Sequence, residues 1–325
     1  MTVIANATTR VPPASGHAAR ERDIHGVSAA KGPLRRAIDR FAPLRAAVKS
    51  GAGQRTIEAV RGARTVTQPA RFLVGQLGPP RHVRYRLRRS RQIALIRHRS
   101  RDIEILNEIF GGTGGRLAYE PPAALRPELD GNPSPRILDL GGNIGMFGLY
   151  ALQRWPGSSV RSFEPEPENA RMLSAAIAEN RLNARWTLSP AAVSNRAGTM
   201  AFRGGLSADS HLVDVEADSD AAPANADIEV PVEDLFALDG HVDLVKMDIE
   251  GGEWAVLADP RMADLDADVI VLEWHAQGCP EPDPRAHVIR LLRNAGFQEL
   301  YEPMNASHCG MLWARRATAP SLSSA

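Results

Sequence analysis

Cysteine is scarce in this chain: Cys279 and Cys309 are the only two among 325 residues. That excludes a disulfide framework and a cysteine-based zinc site, and makes a reducing cytoplasm the simplest home. No run of 18 apolar residues occurs, so no transmembrane helix is expected. The N-terminus lacks the apolar core of a secretory signal, although its Arg, Ala, Ser and Thr content without acid before Glu21 resembles that of a transit peptide. Aromatic residues make up 5% of the chain and are nearly absent from its most basic part, which argues against base stacking on nucleic acid there. Acid is missing from one half. Residues 1–101 hold 22 Lys and Arg against four Asp and Glu, and the remaining residues hold 17 against 34. The net charge of +1 is therefore the sum of a basic segment and an acidic one. Such asymmetry fits charge pairing within or between chains, or a polyanionic partner.

An apolar content of 43% is enough for a sizeable core. Residues 1–34 mix Ala, Pro, Gly, Ser, Thr and Arg without periodicity and read as a disordered leader. A basic accessory region follows over 35–120. Between Leu34 and Ala63 it has amphipathic helical spacing interrupted at Pro43 and Gly51–Gly53, suited to packing on the next domain or lying on a membrane surface. Val83, Tyr85 and Leu87 alternate with arginines as on a half-buried strand, 92–97 reads as its partner, and Asp102 to Phe110 as a helix. Five prolines in 121–135 mark a linker.

From Arg136 to Arg316 strands and helices alternate, which predicts a parallel sheet covered on both faces. Strands are expected at 136–140, 159–163, 184–188, 242–247 and 268–272, with helices at 146–154, 168–180 and 285–295. Residues 197–232 break the alternation with short strands around an acidic loop, 214–227. Two antiparallel strands, 296–302 and 310–315, close the domain before a disordered tail, 317–325.

The chemistry gathers at strand ends, where open α/β sheets bind ligands. Asp139 ends the first strand, and Gly141, Gly142, Asn143 and Gly145 follow as a bend that brings bare backbone to a ligand. Asn143 stands where a dinucleotide fingerprint needs its second glycine, so the pattern suits a nucleoside without a pyrophosphate. Glu164, 23 positions after Gly141 and ahead of Pro165, ends the second strand; a carboxylate there can accept hydrogen bonds from both ribose hydroxyls. Pro190 to Ala192 offer small surfaces for an adenine ring. Asp248 and Glu250 alternate past the fourth strand and point to one side. Asp248 suits the methionyl end of a cofactor, the acceptor, or a helix cap. His275 is the candidate general base because its ordinary pKa lies near neutrality, with His211 second. Asp248, Glu250, Glu273 and His275 could alternatively hold a divalent metal, or bind a polyhydroxyl substrate without one.

Asp139-Leu-Gly-Gly-Asn-Ile-Gly145, Phe163-Glu-Pro-Glu-Pro167 and Val245-Lys-Met-Asp-Ile-Glu-Gly-Gly-Glu253 occur in this order. Together they resemble the FkbM-type family of S-adenosylmethionine (SAM)-dependent methyltransferases. The resemblance extends over about residues 97–303, including Ser100-Arg-Asp-Ile-Glu104 and Glu108-Ile-Phe110. Gly142 and Gly252 stand where the family often has Ala. The resemblance implies a seven-strand Rossmann-like sheet, SAM as cofactor, and methyl transfer to a hydroxyl of a sugar, glycan or other natural product. Two alternatives remain. One is another nucleotide-dependent Rossmann enzyme, disfavoured by the glycine pattern and the lack of a Tyr-x-x-x-Lys pair. The other is a non-catalytic SAM-fold protein that binds a polyanion or partner through its arginines.

Overall fold

The computed structural model describes residues 51–111, 118–203, 211–213, 227–306 and 308–317. The expected leader, the first part of the basic helical region, the side chain of His211, most of the 214–227 loop and most of the tail lie outside the described residues. Two helices, α1 (Gly51–Thr65) and α2 (Pro69–Leu77), precede an antiparallel hairpin of β1 (His82–Arg86) and β2 (Ile93–Arg97). Gly51 and Gly53, expected as an interruption, lie within α1. The 102–110 segment starts as α3 (Asp102–Leu106) and then widens into a π-helical turn, Asn107–Gly111. The expected linker carries a short helix, α4 (Arg126–Gly131), with Leu129 buried.

The main sheet has seven strands. They are β3 (Arg136–Leu140), β4 (Ser159–Phe163), β5 (Trp186–Ser189), β10 (Val242–Met247), β11 (Ala267–His275), β12 (Phe297–Asn305) and β13 (Cys309–Arg316). Their spatial order is β12-β13-β11-β10-β3-β4-β5, parallel from β11 to β5, with β13 antiparallel to both its neighbours. This is the Rossmann-like methyltransferase sheet expected from the sequence. Helices α5 (Met146–Arg154), α6 (Pro167–Glu179), α7 (Glu253–Leu257) and α8 (Pro284–Asn294) alternate with the strands. Between β5 and β10, strands β6 (Ala192–Ser194), β7 (Gly198–Arg203), β8 (His211–Val213) and β9 (Asp227–Asp234) form a separate four-stranded sheet.

Alternation along the buried strands sorts their side chains to two faces. Ile137, Leu244, Val269 and Val271 join a core with Leu149 and Leu173 of α5 and α6, and with Ala63, Phe72, Ile96 and Leu106 from the N-terminal elements. Leu138, Val245, Ile270 and Leu272 join a second core with Val256 of α7 and Val288 of α8. The N-terminal elements thus share the catalytic domain's core. Polar ties fix them there: the buried Asp102 carboxylate accepts from Arg97 Nη2 at 2.8 Å, and the same nitrogen donates to Asn169 of α6 at 2.7 Å.

Candidate functional site

The chain passes from β3 through β4 to β5 on one side, then returns to β10 on the other side of β3. The carboxyl ends of β3 and β10 therefore flank the point where strand order reverses, and a crevice opens there. Asp248 N–H donates to Leu140 O at 3.1 Å, tying the two strand ends together. A Cβ on Gly141 would stand 1.8 Å from Asp248 O, and Gly141 has φ +80°. No side chain fits at that position. Gly141→Ala is expected to cost about 3 kcal/mol of stability, measured by denaturant unfolding. Gly145 (φ +85°) caps α5 in the left-handed region, and Asn143 adopts φ 47°.

Glu164 ends β4 and is buried. Its Oε2 accepts from Asn143 N–H at 2.7 Å, and its Oε1 accepts from Glu166 N–H at 2.9 Å. The carboxylate is thereby locked against the glycine bend. Burial pushes its pKa up to about 7, against the pull of those two N–H groups. Pro165 lies beside it, half-buried, and leads into α6, which is capped by Glu166. Ala192 packs with Val230 and Val232 in the core of the small sheet, where β6 pairs with β9.

On the face shared with the N-terminal elements, apolar residues give way to charge as the strands leave the core. Ile137 is followed by Asp139, Leu244 by Lys246, and Val271 by Glu273. Lys246 Nζ, itself buried, lies 3.4 Å from Asp139 Oδ1 and 3.6 Å from Asp248 Oδ2. It also donates to Gly141 O at 2.5 Å. Asp139 Oδ2 accepts from Ser162, while its buried Oδ1 has no hydrogen-bond partner. Burial raises the Asp139 pKa despite Lys246; burial lowers that of Lys246, but Asp139 and Asp248 outweigh it and raise the lysine.

The cleft is walled by Asp248, Glu250, Glu273 and Lys246 together with Arg101, Glu108 and Tyr119 from before the sheet. Glu108 sits on the π-helical turn, a local geometry that often marks functional positions. Its carboxyl has no side-chain hydrogen bond among the described residues. Burial, then the nearby Asp248 carboxylate, pushes its pKa up to about 7, with Lys246 and Arg101 opposing. Burial, then the Asp248 and Glu108 charges, raise the Glu273 pKa well above its ordinary value. Tyr119, buried against Phe147, is held protonated.

His275 is the last residue of β11, which runs three residues beyond its expected end. Its Nδ1 lies 3.3 Å from Glu253 Oε1 and its Nε2 3.3 Å from Glu250 Oε2. The fully buried Glu253 also accepts the His275 backbone N–H at 2.6 Å and the Gly251 N–H at 2.8 Å. Burial opposes charge on the ring, but Glu253, Asp248 and Glu250 outweigh it and bring the His275 pKa up to about 10. Those carboxylates favour the protonated ring. Ligand atoms of Asp248, Glu250 and His275 lie within 4.8 Å of one another, a spacing compatible with a metal ion. Asp248 does not cap the following helix, whose N-cap is Gly252 and makes no side-chain cap bond. A larger cavity, at the opposite ends of β3, β4 and β5, contains none of these groups.

Comparison with known proteins bears on this site. The family described as "Methyltransferase FkbM domain" matches residues 139–299, about half of the chain. Methyltransferase sdnD of Sordaria araneosa is 29% identical over 196 residues, covering 50% of this chain and 74% of its own length. The 31-O-demethyl-FK506 methyltransferase FkbM of Streptomyces tacrolimicus is 27% identical over 209 residues, covering 55% and 78%. Among solved structures, methyltransferase FkbM from Methylobacillus flagellatus KT is similar at 15% identity and a TM-score of 0.37, covering 55% of this chain and 44% of that one. The N-terminal domain of EvdMO1 with SAH bound is similar at 20% identity and a TM-score of 0.35, covering 60% and 79%. The family match begins at Asp139, runs through the glycine bend and Glu164, and takes in the Lys246–Glu253 segment that closes the crevice: the chain belongs to the FkbM family of SAM-dependent methyltransferases.

Proposed function

We propose that this chain transfers the methyl group of SAM to a hydroxyl of an uncharged polyhydroxylated small molecule, a sugar, glycan or other natural product. The observation that carries this reading is a buried carboxylate, Glu164, locked by the Asn143 N–H at the edge of a crevice that Asn143 lines together with the acidic groups Asp248 and Glu108. The name of the Streptomyces tacrolimicus relative, a methyltransferase for 31-O-demethyl-FK506, supports oxygen as the acceptor atom.

The residues present fit the cofactor. Each Glu164 oxygen uses one lone pair on a backbone N–H and keeps another for a ribose hydroxyl. Asp139 keeps a buried oxygen without a hydrogen bond, and Asp248 adds negative charge where a sulfonium and an ammonium would lie. When bound, SAM supplies a methyl group already activated by positive sulfur. The protein's work is then alignment and proton removal.

In this reading Glu108 is the group that would accept the proton given up by the acceptor hydroxyl, while SAM, when bound, would supply the activated methyl group and leave as a neutral thioether. Glu273 and Tyr119 would offer hydrogen bonds to the acceptor's other oxygens, and His275 holds Glu250 in place. His275 serves in this scheme as a positioning cation. A divalent metal held by Asp248, Glu250 and His275 would have to displace the His275 proton, so methyl transfer is expected to continue in excess chelator; loss of transfer, restored by magnesium, would reverse that expectation.

The reading is tested by incubating the protein with methyl-labelled SAM and a panel of neutral, amino and phosphorylated sugars and polyketide alcohols, followed by mass spectrometry. Label is expected on oxygen of the neutral acceptors. Label on nitrogen or carbon only, or a preference for phosphorylated acceptors, would contradict it.

The raised carboxyls also set a pH dependence. Folding favours the protonated form of any acid whose pKa is raised, so Glu164 and Glu108 stabilise the unliganded protein below the ordinary carboxylate pKa, and that contribution is lost as pH rises through about 7. SAM needs ionised Glu164, so the expected trends are opposite: thermal stability without ligand falls from pH 5 to 8 by way of these groups, while SAM affinity rises and then levels above about 7. Calorimetry in buffers of different ionisation enthalpy should register proton release on binding near pH 6.

A further inference from the structure

We infer that the outer face of helix α2 is a docking surface for an anionic lipid bilayer, an assignment that does not rest on the acceptor reading above. The inner face of α2 is fixed. Phe72 is fully buried, its ring centroid 5.1 Å from that of Tyr85, and Gly75 lets the helix settle on His98, whose Nε2 would stand 2.5 Å from a Cβ there. The opposite face, one turn of helix at i, i+1 and i+4, presents Leu73, Val74 and Leu77, exposed by 38%, 63% and 86%. Scattered single apolar residues are ordinary on a surface. Three on one face are not, and among the described residues only Val60 and Met304 are other large hydrophobics so exposed.

The segment that carries this face is basic. Residues 51–101 contain 13 arginines and a single acid, Glu58, although Arg61, Arg84, Arg97 and Arg101 are paired with acids. Arg71 lies on α2 itself, and both Arg71 and Arg81 are exposed and close enough to the Tyr85–His98 pair beneath the helix to shift its titration. Exposed aliphatic side chains with Arg71 and Arg81 close by match the interface of an anionic bilayer, with the aliphatic groups below the headgroups and the guanidiniums among the phosphates.

Other occupants fit less well. Residues 1–50 carry nine Lys and Arg against three acids, the same sign as the surface they would cover. A second copy docked face to face would oppose arginines with arginines. Docked through its acidic half, it would offer, among the described residues, only Met304 to meet the aliphatic trio. Nucleic acid would use the arginines, but Phe72 and Tyr85, the aromatic residues of the segment, are buried and cannot stack on bases.

The test is flotation of the full chain with large vesicles at roughly 0.1 M salt. The vesicles are phosphatidylcholine alone, or phosphatidylcholine with about one third phosphatidylglycerol. The protein is expected to float with the anionic vesicles and stay behind with the neutral ones. The pair Val74→Asp and Leu77→Asp is expected to weaken binding about tenfold or more with an unchanged thermal midpoint; Val74→Ser with Leu77→Ser replaces it should the aspartates unfold the chain. Arg81→Glu should weaken it as well. Failure to float with anionic vesicles overturns the inference. Flotation indifferent to both apolar pairs overturns it in favour of any polyanion, an RNA oligonucleotide included. Self-association that Leu77→Asp abolishes overturns it in favour of a second copy.

Discussion

Glu108→Gln is expected to lower kcat by about a hundred- to ten-thousandfold while leaving SAM affinity within about twofold. The substitution keeps the shape of the side chain and removes its ability to take a proton. Glu108 reaches the cleft from the π-helical turn and is distinct from the residues that hold the nucleoside, so binding and chemistry should separate. The pH profile adds a second check. Wild-type kcat should rise with pH through about 7, where the Glu108 carboxyl ionises, and that limb should vanish in the variant. A base at His275 would behave differently. Its pKa near 10 would place the rising limb three decades of acidity higher. His275→Asn is accordingly expected to disturb KM through Glu250 more than it disturbs the profile.

Glu164→Ala should be as severe on the other side of the crevice. Two charge-assisted hydrogen bonds to ribose hydroxyls, each worth about 1.5–3 kcal/mol, are lost. Affinity for SAM and for its demethylated product should fall about a hundred- to ten-thousandfold. The variant loses more than ligand contacts, since Glu164 also accepts the Asn143 and Glu166 N–H groups that shape the bend. Glu164→Gln separates the two effects. Its amide keeps one acceptor oxygen, so one of the two backbone bonds survives, but it cannot take both hydroxyls, and its affinity should be independent of pH between about 5 and 8. Equal affinity in Glu164→Gln and wild type at pH 8 would remove the ribose assignment.

The parts of this site that could be read in the sequence are those set by strand periodicity. Leu138 and Leu140 in a short apolar run, glycines immediately after, and an acid closing the next such run gave the positions of Asp139, the bend and Glu164 with little displacement. The Lys246–Glu253 segment was legible as a strand end with polar residues at alternate positions, although no role attached to Lys246 until its ammonium was seen buried between Asp139 and Asp248. What periodicity could not show is which distant elements converge. Glu108 and Tyr119 precede the sheet by up to 28 residues and reach the cleft only because α3 opens into a π-helical turn and packs on α5.

The surroundings of His275 were out of reach for a related reason: Glu253 and Glu250 lie 22 and 25 residues away in sequence and meet it only after β11 and α7 pack. A three-residue strand such as β6 likewise gives no periodicity to say which sheet it joins. The helix α2 was not anticipated at all: Pro69 and Gly75 in nine residues conceal a helix whose stability comes from Phe72 beneath it.

The most direct test is a crystal structure of the wild-type protein with S-adenosylhomocysteine. The ribose hydroxyls should lie within hydrogen-bond distance of both Glu164 oxygens, with the sulfur facing the cleft between Asp248 and Glu108. A nucleoside bound with its ribose away from Glu164, or a sulfur turned from that carboxylate wall, would contradict the account.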